Sequence, residues 1–201
     1  MGAHDPLELD FFGVALRVEG VDAQTARMLR TVYERQAPPA DDRAPEIVVR
    51  IVPVADGAAS IVVGGRTVLV RDRAELAHQL HLVMVGAAAA ACPRARVLHG
   101  CAVERSGRAL VVLAPSGGGK TTLAVALVGR GWRLLSDDFV VLTAGGAVRP
   151  FLRRVNLLPD SVTRLGLALP SGAVALIGPY GRNKWMVDIE SLFVGSASRG
   201  G

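Results

Sequence analysis

Lysine is nearly missing from this chain of 201 residues: Lys120 and Lys184 are the only two, and every other basic side chain besides histidine is arginine. A lysine inside a glycine-rich turn therefore stands out, and the second lysine stands out with it. Aromatic residues make up 4% of the chain, which leaves few platforms for stacking the bases of single-stranded nucleic acid. The formal net charge is +5, yet no run of four or more Lys or Arg occurs. The arginines read as a solvated surface rather than a track for a polyanion, so no nucleic-acid partner is expected. Cys92 and Cys101 are too far apart for a CxxC pair and have no Cys/His cluster around them. Two reduced thiols in a cytoplasmic protein is the reading that fits. The most apolar run, LVMVGAAAAAC at 82–92, falls short of the ~20 residues a membrane span needs. The opening MGAHDPLELD lacks the charged-then-apolar layout of a signal peptide. A cytoplasmic protein with no membrane partner is the expectation.

Half the residues are hydrophobic, enough for one large core or two small ones. Residues 1–92 read as a small α/β module. LELDFFGVALRVEG (7–20) has strand character, DAQTARMLRTVYER (22–35) is an amphipathic helix with Asp22 as N-cap, and QAPPADDRAP (36–45) is a loop. EIVVRIVPV and SIVVGGRTVLVRD follow as strands, the second a hairpin turning on Gly64 and Gly65. A long helix over 72–92 stops at Pro93, and its alanine-rich, nearly all-round apolar half predicts burial between two layers. His78 and His81 lie three apart on it, but no third ligand is near, so ordinary helix histidines are expected.

Residues 93–195 carry a different pattern. RVLHGCAVER and RALVVLAP read as strands, then come a glycine turn, a helix from KTTLAVALVGRG and a strand from WRLLSDDFVVL. AGGAVRPF starts a hairpin arm, LPDSVTRLGL (158–167) a short helix capped near Asp160 or Ser161, and AVALIG with KWMVDIESL a closing strand pair around PYGRN. A frayed tail is expected at the end, assigned to 196–201.

The turn APSGGGKT (114–121) fits the phosphate-loop signature G-x-x-x-x-G-K-[ST], except that Ala114 stands where the first glycine belongs. Ser116, Gly117, Gly118 and Gly119 can curl their backbone N–H groups around a phosphate, because glycine reaches φ > 0 without a Cβ clash. The helix that follows adds its positive N-terminal end. Lys120 then meets the β- and γ-phosphates, the Thr121 hydroxyl can ligate Mg²⁺, and Thr122 completes the loop. ATP and Mg²⁺ are the expected ligands.

A cradle binds; transfer needs more. Asp137 and Asp138 follow the loop by one helix and one strand, which in an α/β layout returns the chain beside it. Neighbouring residues near a strand end point to opposite faces. One carboxylate can therefore hold Mg²⁺ while the other accepts a proton from an incoming hydroxyl. Two acids between apolar RLL and FVVL would be costly without cations to meet them.

Residues 97–142 resemble the catalytic core of HPr kinase/phosphorylase, within the phosphoenolpyruvate-carboxykinase-like P-loop kinases. The likeness is carried by His99-Gly100 before the loop, by Ser116, Gly117, Gly119, Lys120 and Thr121 in it, and by Arg130-Gly131 before Asp137-Asp138. Thr122 departs from the pattern, since HPr kinase often has Glu there. The resemblance implies an α/β P-loop kinase with a small N-terminal α/β module. The activity it implies is ATP-dependent phosphorylation of a serine-type hydroxyl on a peptide or protein. It makes Asp137 the base, gives metal binding to Asp138 and Thr121, and sets His99 beside the transferring phosphoryl group. Among shorter relatives are kinases encoded with lasso-peptide biosynthesis enzymes, which phosphorylate the precursor's C-terminal serine. That role suits this chain better than regulation of sugar uptake.

Cations for the transition state are sought at Arg149, Arg153 and Arg154, and at Arg182 and Lys184 around the PYGRN turn. Arg182 and Lys184 are taken as nucleotide contacts. Two other functions stay in view, a non-catalytic ATP-binding regulatory module and a kinase of a small hydroxyl compound such as free serine. The N-terminal module is read as a peptide dock or a contact between copies in a homo-oligomer.

Overall fold

The computed structural model describes residues 5–36, 46–92, 94–177 and 183–197. The loop beyond Gln36, the helix stop at Pro93, the core of the PYGRN turn with Arg182, and the last four residues lie outside them. The protein is mixed α/β and divides into two compact units, residues 1–93 and 94–201. Among the described residues no helix is long and apolar enough to cross a membrane.

The first unit is one five-stranded sheet in the order β1-β2-β3-β4-β5. What reads as a single strand over 7–20 is a hairpin, β1 (Leu7–Phe11) and β2 (Val14–Glu19). Phe12 and Gly13 both take positive φ (62° and 84°), as a two-residue hairpin turn requires. Asp22 caps α1 (Ala23–Val32) by accepting from the Thr25 N–H at 2.7 Å. That helix carries the chain over to β3 (Ile47–Pro53), which lies parallel to β2. β4 (Ala59–Val63) and β5 (Arg66–Val70) close the sheet as a hairpin through Gly64 and Gly65, at φ 53° and 75°.

α2 (Arg73–Ala91) starts from an Asp72 cap. Phe11, Leu16, Leu29, Ile61, Leu80 and Met84 are fully buried and form the core. Burial of α2 on all sides is not found: Leu80, Met84 and Ala88 are covered, while Leu82 is 39% exposed and Gly86 and Ala90 are exposed too. Small side chains at these positions let a helix pass as apolar all round while only one face packs. His81 hydrogen-bonds the Tyr33 hydroxyl through Nδ1, and His78 points to solvent.

The second unit holds three three-stranded sheets. β7 (Cys101–Arg105) lies between β8 (Arg108–Val112) and β9 (Arg133–Ser136) and is antiparallel to both. β8 and β9 therefore run in the same direction, joined through α3 (Lys120–Val128). Both end at one edge, and that brings the end of β9 back beside the loop after β8. A second sheet pairs β10 (Phe139–Leu142) with β6 (Arg96–His99) and with β11 (Val148–Arg149).

RVLHGCAVER and WRLLSDDFVVL are thus each split in two, passing from one sheet to the other at Gly100 and at Asp137–Asp138. The Gly100 N–H still donates to the Asp138 carbonyl at 3.0 Å, so the two chains stay in register through the break. A Cβ on Gly100 would lie 2.6 Å from Leu113 Cδ2 and 2.8 Å from the Val112 carbonyl oxygen, so no larger residue fits the bend.

The third sheet sets β14 (Asn183–Val187) between β12 (Val155–Leu157) and β13 (Val174–Ile177). α4 (Pro159–Leu165) has its N-cap at Leu158, two residues before Asp160, because Pro159 supplies the first helical φ by itself, and no side chain caps it. The segment KWMVDIESL is strand only to Val187; Asp188 then caps α5 (Ile189–Leu192). The tail is not frayed where it is described: Ser196 and Ala197 are buried, and Ala197 bridges to Leu134. Val103, Val125, Leu134, Val155, Leu157, Val187 and Ile189 belong to the core of this unit.

Candidate functional site

The loop after β8 owes its shape to three glycines with different tasks. Gly117 and Gly119 sit at φ 80°, a region that costs a non-glycine residue strain. Gly118 is needed for space, since a Cβ there would lie 2.9 Å from Ala114 Cβ and 3.0 Å from the Pro115 carbonyl oxygen. Ala114, the departure from the signature, is thus accommodated where its methyl meets a residue without one. Gly119 is also the N-cap of α3 and offers no side chain to its first-turn N–H groups. Those donors remain for an anion. Ser116 to Gly119 are exposed.

Lys120 is 7% exposed, and its ammonium folds back on the loop, donating to the carbonyls of Ala114 at 2.7 Å and Pro115 at 3.0 Å. Thr121 donates its hydroxyl to Asp137 Oδ1 at 2.8 Å. Asp137 is only 2% exposed, and its second oxygen, Oδ2, is buried with no hydrogen-bond partner. Asp138 adopts φ 70°, and its side chain is 36% exposed. Arg153, 6% exposed, pairs through Nη2 with Asp138 Oδ2 and donates from Nε to the Asp137 carbonyl at 3.3 Å. Thr122 shares a 2.7 Å hydrogen bond with Ser161 of α4, which ties α3 to α4.

His99 is opposite Phe139 across β6 and β10, with its ring edge-on to the phenyl ring. Partial burial holds its imidazole below the usual range; the Lys120 charge adds to this, Asp137 opposes it and Arg153 reinforces it. The shift favours the uncharged imidazole, although the ring is largely exposed. Cys101 donates to the Lys120 carbonyl at 3.3 Å, and burial, aided by Asp137, pushes its thiol up to about 12. It is packing under the loop, not a nucleophile.

Lys120, Thr121, Asp137, Asp138 and Arg153 are therefore gathered at one edge with His99 beside them. Lys184 lines a separate cavity of about 440 Å³ with Pro159, Ala175, Leu176, Asn183 and Trp185, and no phosphate-loop residue lines it. Arg182 lies outside the described residues. A hollow of about 520 Å³ along α1 is lined by Arg27, Arg30 and Glu34 beside Ala23 and Ala26, a solvated face without convergent chemistry. The reach of Arg153 into the acidic pair was only one possibility among several nearby arginines in the sequence. The buried, unpartnered Ser136 hydroxyl carries no sequence signal, because Ser-Asp-Asp has ordinary turn composition. Protein-family models, curated proteins and solved structures give no match to this chain.

Proposed function

We propose that the protein is an Mg²⁺/ATP-dependent kinase of the HPr kinase-like P-loop type that phosphorylates a serine-type hydroxyl on a peptide or protein. The observation that carries the reading is the Thr121–Asp137 hydrogen bond at the mouth of the phosphate loop. It joins a hydroxyl and a buried carboxylate whose other oxygen has no partner. Such an oxygen is costly to bury unless a cation meets it. Mg²⁺ takes few protein ligands and completes its shell with water and phosphate oxygens, so the Thr121 hydroxyl and one carboxylate of the pair would be its protein contacts.

When bound, Mg²⁺ draws off negative charge from the β- and γ-phosphate oxygens. The chain does the rest. The N–H groups of Ser116, Gly117 and Gly119 and the start of α3 hold the phosphates, and Lys120 exchanges its two loop carbonyls for phosphate oxygens. The aspartates share the metal-side and proton-accepting tasks, and His99 lies beside the reacting groups. The acceptor class comes from the resemblance in residues 97–142, and a lasso-peptide precursor with a C-terminal serine is the first acceptor to try. The N-terminal module is then the peptide dock or a homo-oligomer contact, and the setting is the cytoplasm.

Transfer of label from γ-labelled ATP to that peptide, with calorimetry of ATP binding with and without Mg²⁺, tests the reading. Lys120→Ala should lower transfer by about 100-fold or more. Binding of Mg·ATP without transfer or hydrolysis would leave a regulatory module instead, and no binding at all would overturn the assignment.

A further inference from the structure

We infer that the two aspartates divide the reaction in the sense opposite to the one the resemblance implies: Asp137 is the metal-side carboxylate, and Asp138, held by Arg153, meets the acceptor hydroxyl. The inference rests on the kinase reading above.

Accessibility separates the pair. A proton acceptor must come within about 2.6–3.2 Å of the hydroxyl it serves. A serine carried on a peptide arrives from solvent, and Asp137 is 2% exposed. Its Oδ1 already accepts from Thr121, the hydroxyl at the metal position, and its Oδ2 is buried beside it without a partner. Both oxygens thus suit a small cation at the loop and not a bulky acceptor. Asp138 is half-buried where Asp137 is buried, and 36% of its side chain reaches solvent.

Asp138 is also held in an unusual way. Its φ of 70° is uncommon for a residue with a side chain. The conformation is fixed from three sides. Gly100 N–H donates to the Asp138 carbonyl, Arg153 Nε donates to the Asp137 carbonyl, and Arg153 Nη2 pairs with Asp138 Oδ2. Arg153 is buried, so its grip is not that of a loose surface cation. Strain maintained by several converging contacts is a mark of functional sites. Here the contacts fix the outward carboxylate at the point where two strands leave one sheet for another. Arg153 is the positioning residue of the pair.

The step balances as follows. The acceptor oxygen forms a bond to the γ-phosphorus while the bond to the β,γ-bridging oxygen breaks, and that electron pair leaves with ADP. The hydroxyl proton passes to the Asp138 carboxylate and then to water. In a loose phosphoryl-transfer transition state the carboxylate chiefly orients the nucleophile, so an arginine-paired acid is adequate.

The test uses the full chain as Asp137→Asn and Asp138→Asn, with calorimetry of ATP over a range of Mg²⁺ concentrations and release or transfer of the γ-phosphoryl group. Asp137→Asn should weaken the Mg²⁺-dependent part of nucleotide affinity by about 10-fold or more. Asp138→Asn should leave that affinity unchanged and lower transfer by about 100-fold or more. Arg153→Ala should keep Mg·ATP affinity and lose rate, and added guanidinium ion should restore part of it. If Asp138→Asn transfers at the wild-type rate, or Asp137→Asn keeps its full Mg²⁺ dependence, the assignment is wrong. A wild-type chain that does not bind Mg·ATP removes the kinase reading itself, an outcome the calorimetry separates from the other two.

Discussion

Ala114 carries a methyl group where the loop signature has hydrogen, and its Cβ lies 2.9 Å from the point a Cβ on Gly118 would occupy. The two positions are therefore coupled through one small volume. Gly118→Ala should cost about 1–3 kcal/mol by overpacking and weaken nucleotide binding, since the loop must open to take the methyl. Adding Ala114→Gly should recover part of both losses. The remainder belongs to the Pro115 carbonyl, 3.0 Å from the same point, which no side-chain change removes. Denaturant melts and ATP calorimetry on the single and double variants would check the coupling. If the double variant binds no better than Gly118→Ala alone, the methyl is not what shapes the loop.

At the level of elements, Asp22 serves two helices at once. It caps α1 through the Thr25 N–H, and Oδ2 pairs at 2.7 Å with Arg73, the first residue of α2. The Arg73 contact and the cap together hold its carboxyl at about 2, below the ordinary 3.8. A depressed carboxyl contributes its stability above the unfolded value and loses it as pH falls. Asp22→Ala should thus cost about 1 kcal/mol at pH 7, and the gap to wild type should shrink between pH 4 and pH 2. Urea melts across that range would detect it.

The cap was legible in the sequence because a single Asp before an amphipathic run is a local signal. The same holds for the Gly64-Gly65 hairpin and for the glycine-rich turn before α3, whose residues all lie within one turn. The breaks at Gly100 and Asp137–Asp138 were not legible. Each is set by a close approach from residues outside its own strand, Leu113 and Val112 in one case and Arg153 in the other. An unbroken apolar pattern on both sides conceals the bend.

Over the whole molecule, both tryptophans, Trp132 and Trp185, belong to the unit that carries the glycine-rich loop. Their fluorescence reports the unfolding of that unit. Mg·ATP at 100 times its dissociation constant should stabilise it by about 2.7 kcal/mol. A fluorescence-detected transition that stays put at saturating Mg·ATP would contradict nucleotide binding at the loop. The division into two units was visible in the change of pattern near residue 93, since a helix–loop–strand rhythm gives way to a glycine turn between strands. The split of the second unit into three small sheets was not visible. Strand order depends on pairings between distant segments, and β9 beside β7 rather than β8 leaves no mark in either segment alone.

The resting position of Lys120 has one more consequence. With its ammonium held by two carbonyls of its own chain, Lys120 must give up hydrogen bonds to reach an anion. A lone orthophosphate must displace both contacts for a single new one, whereas a polyphosphate chain spans the amide curl and the lysine together. On the kinase reading the loop would in this way act as a length gauge, favouring ligands long enough to engage both the amides and the lysine.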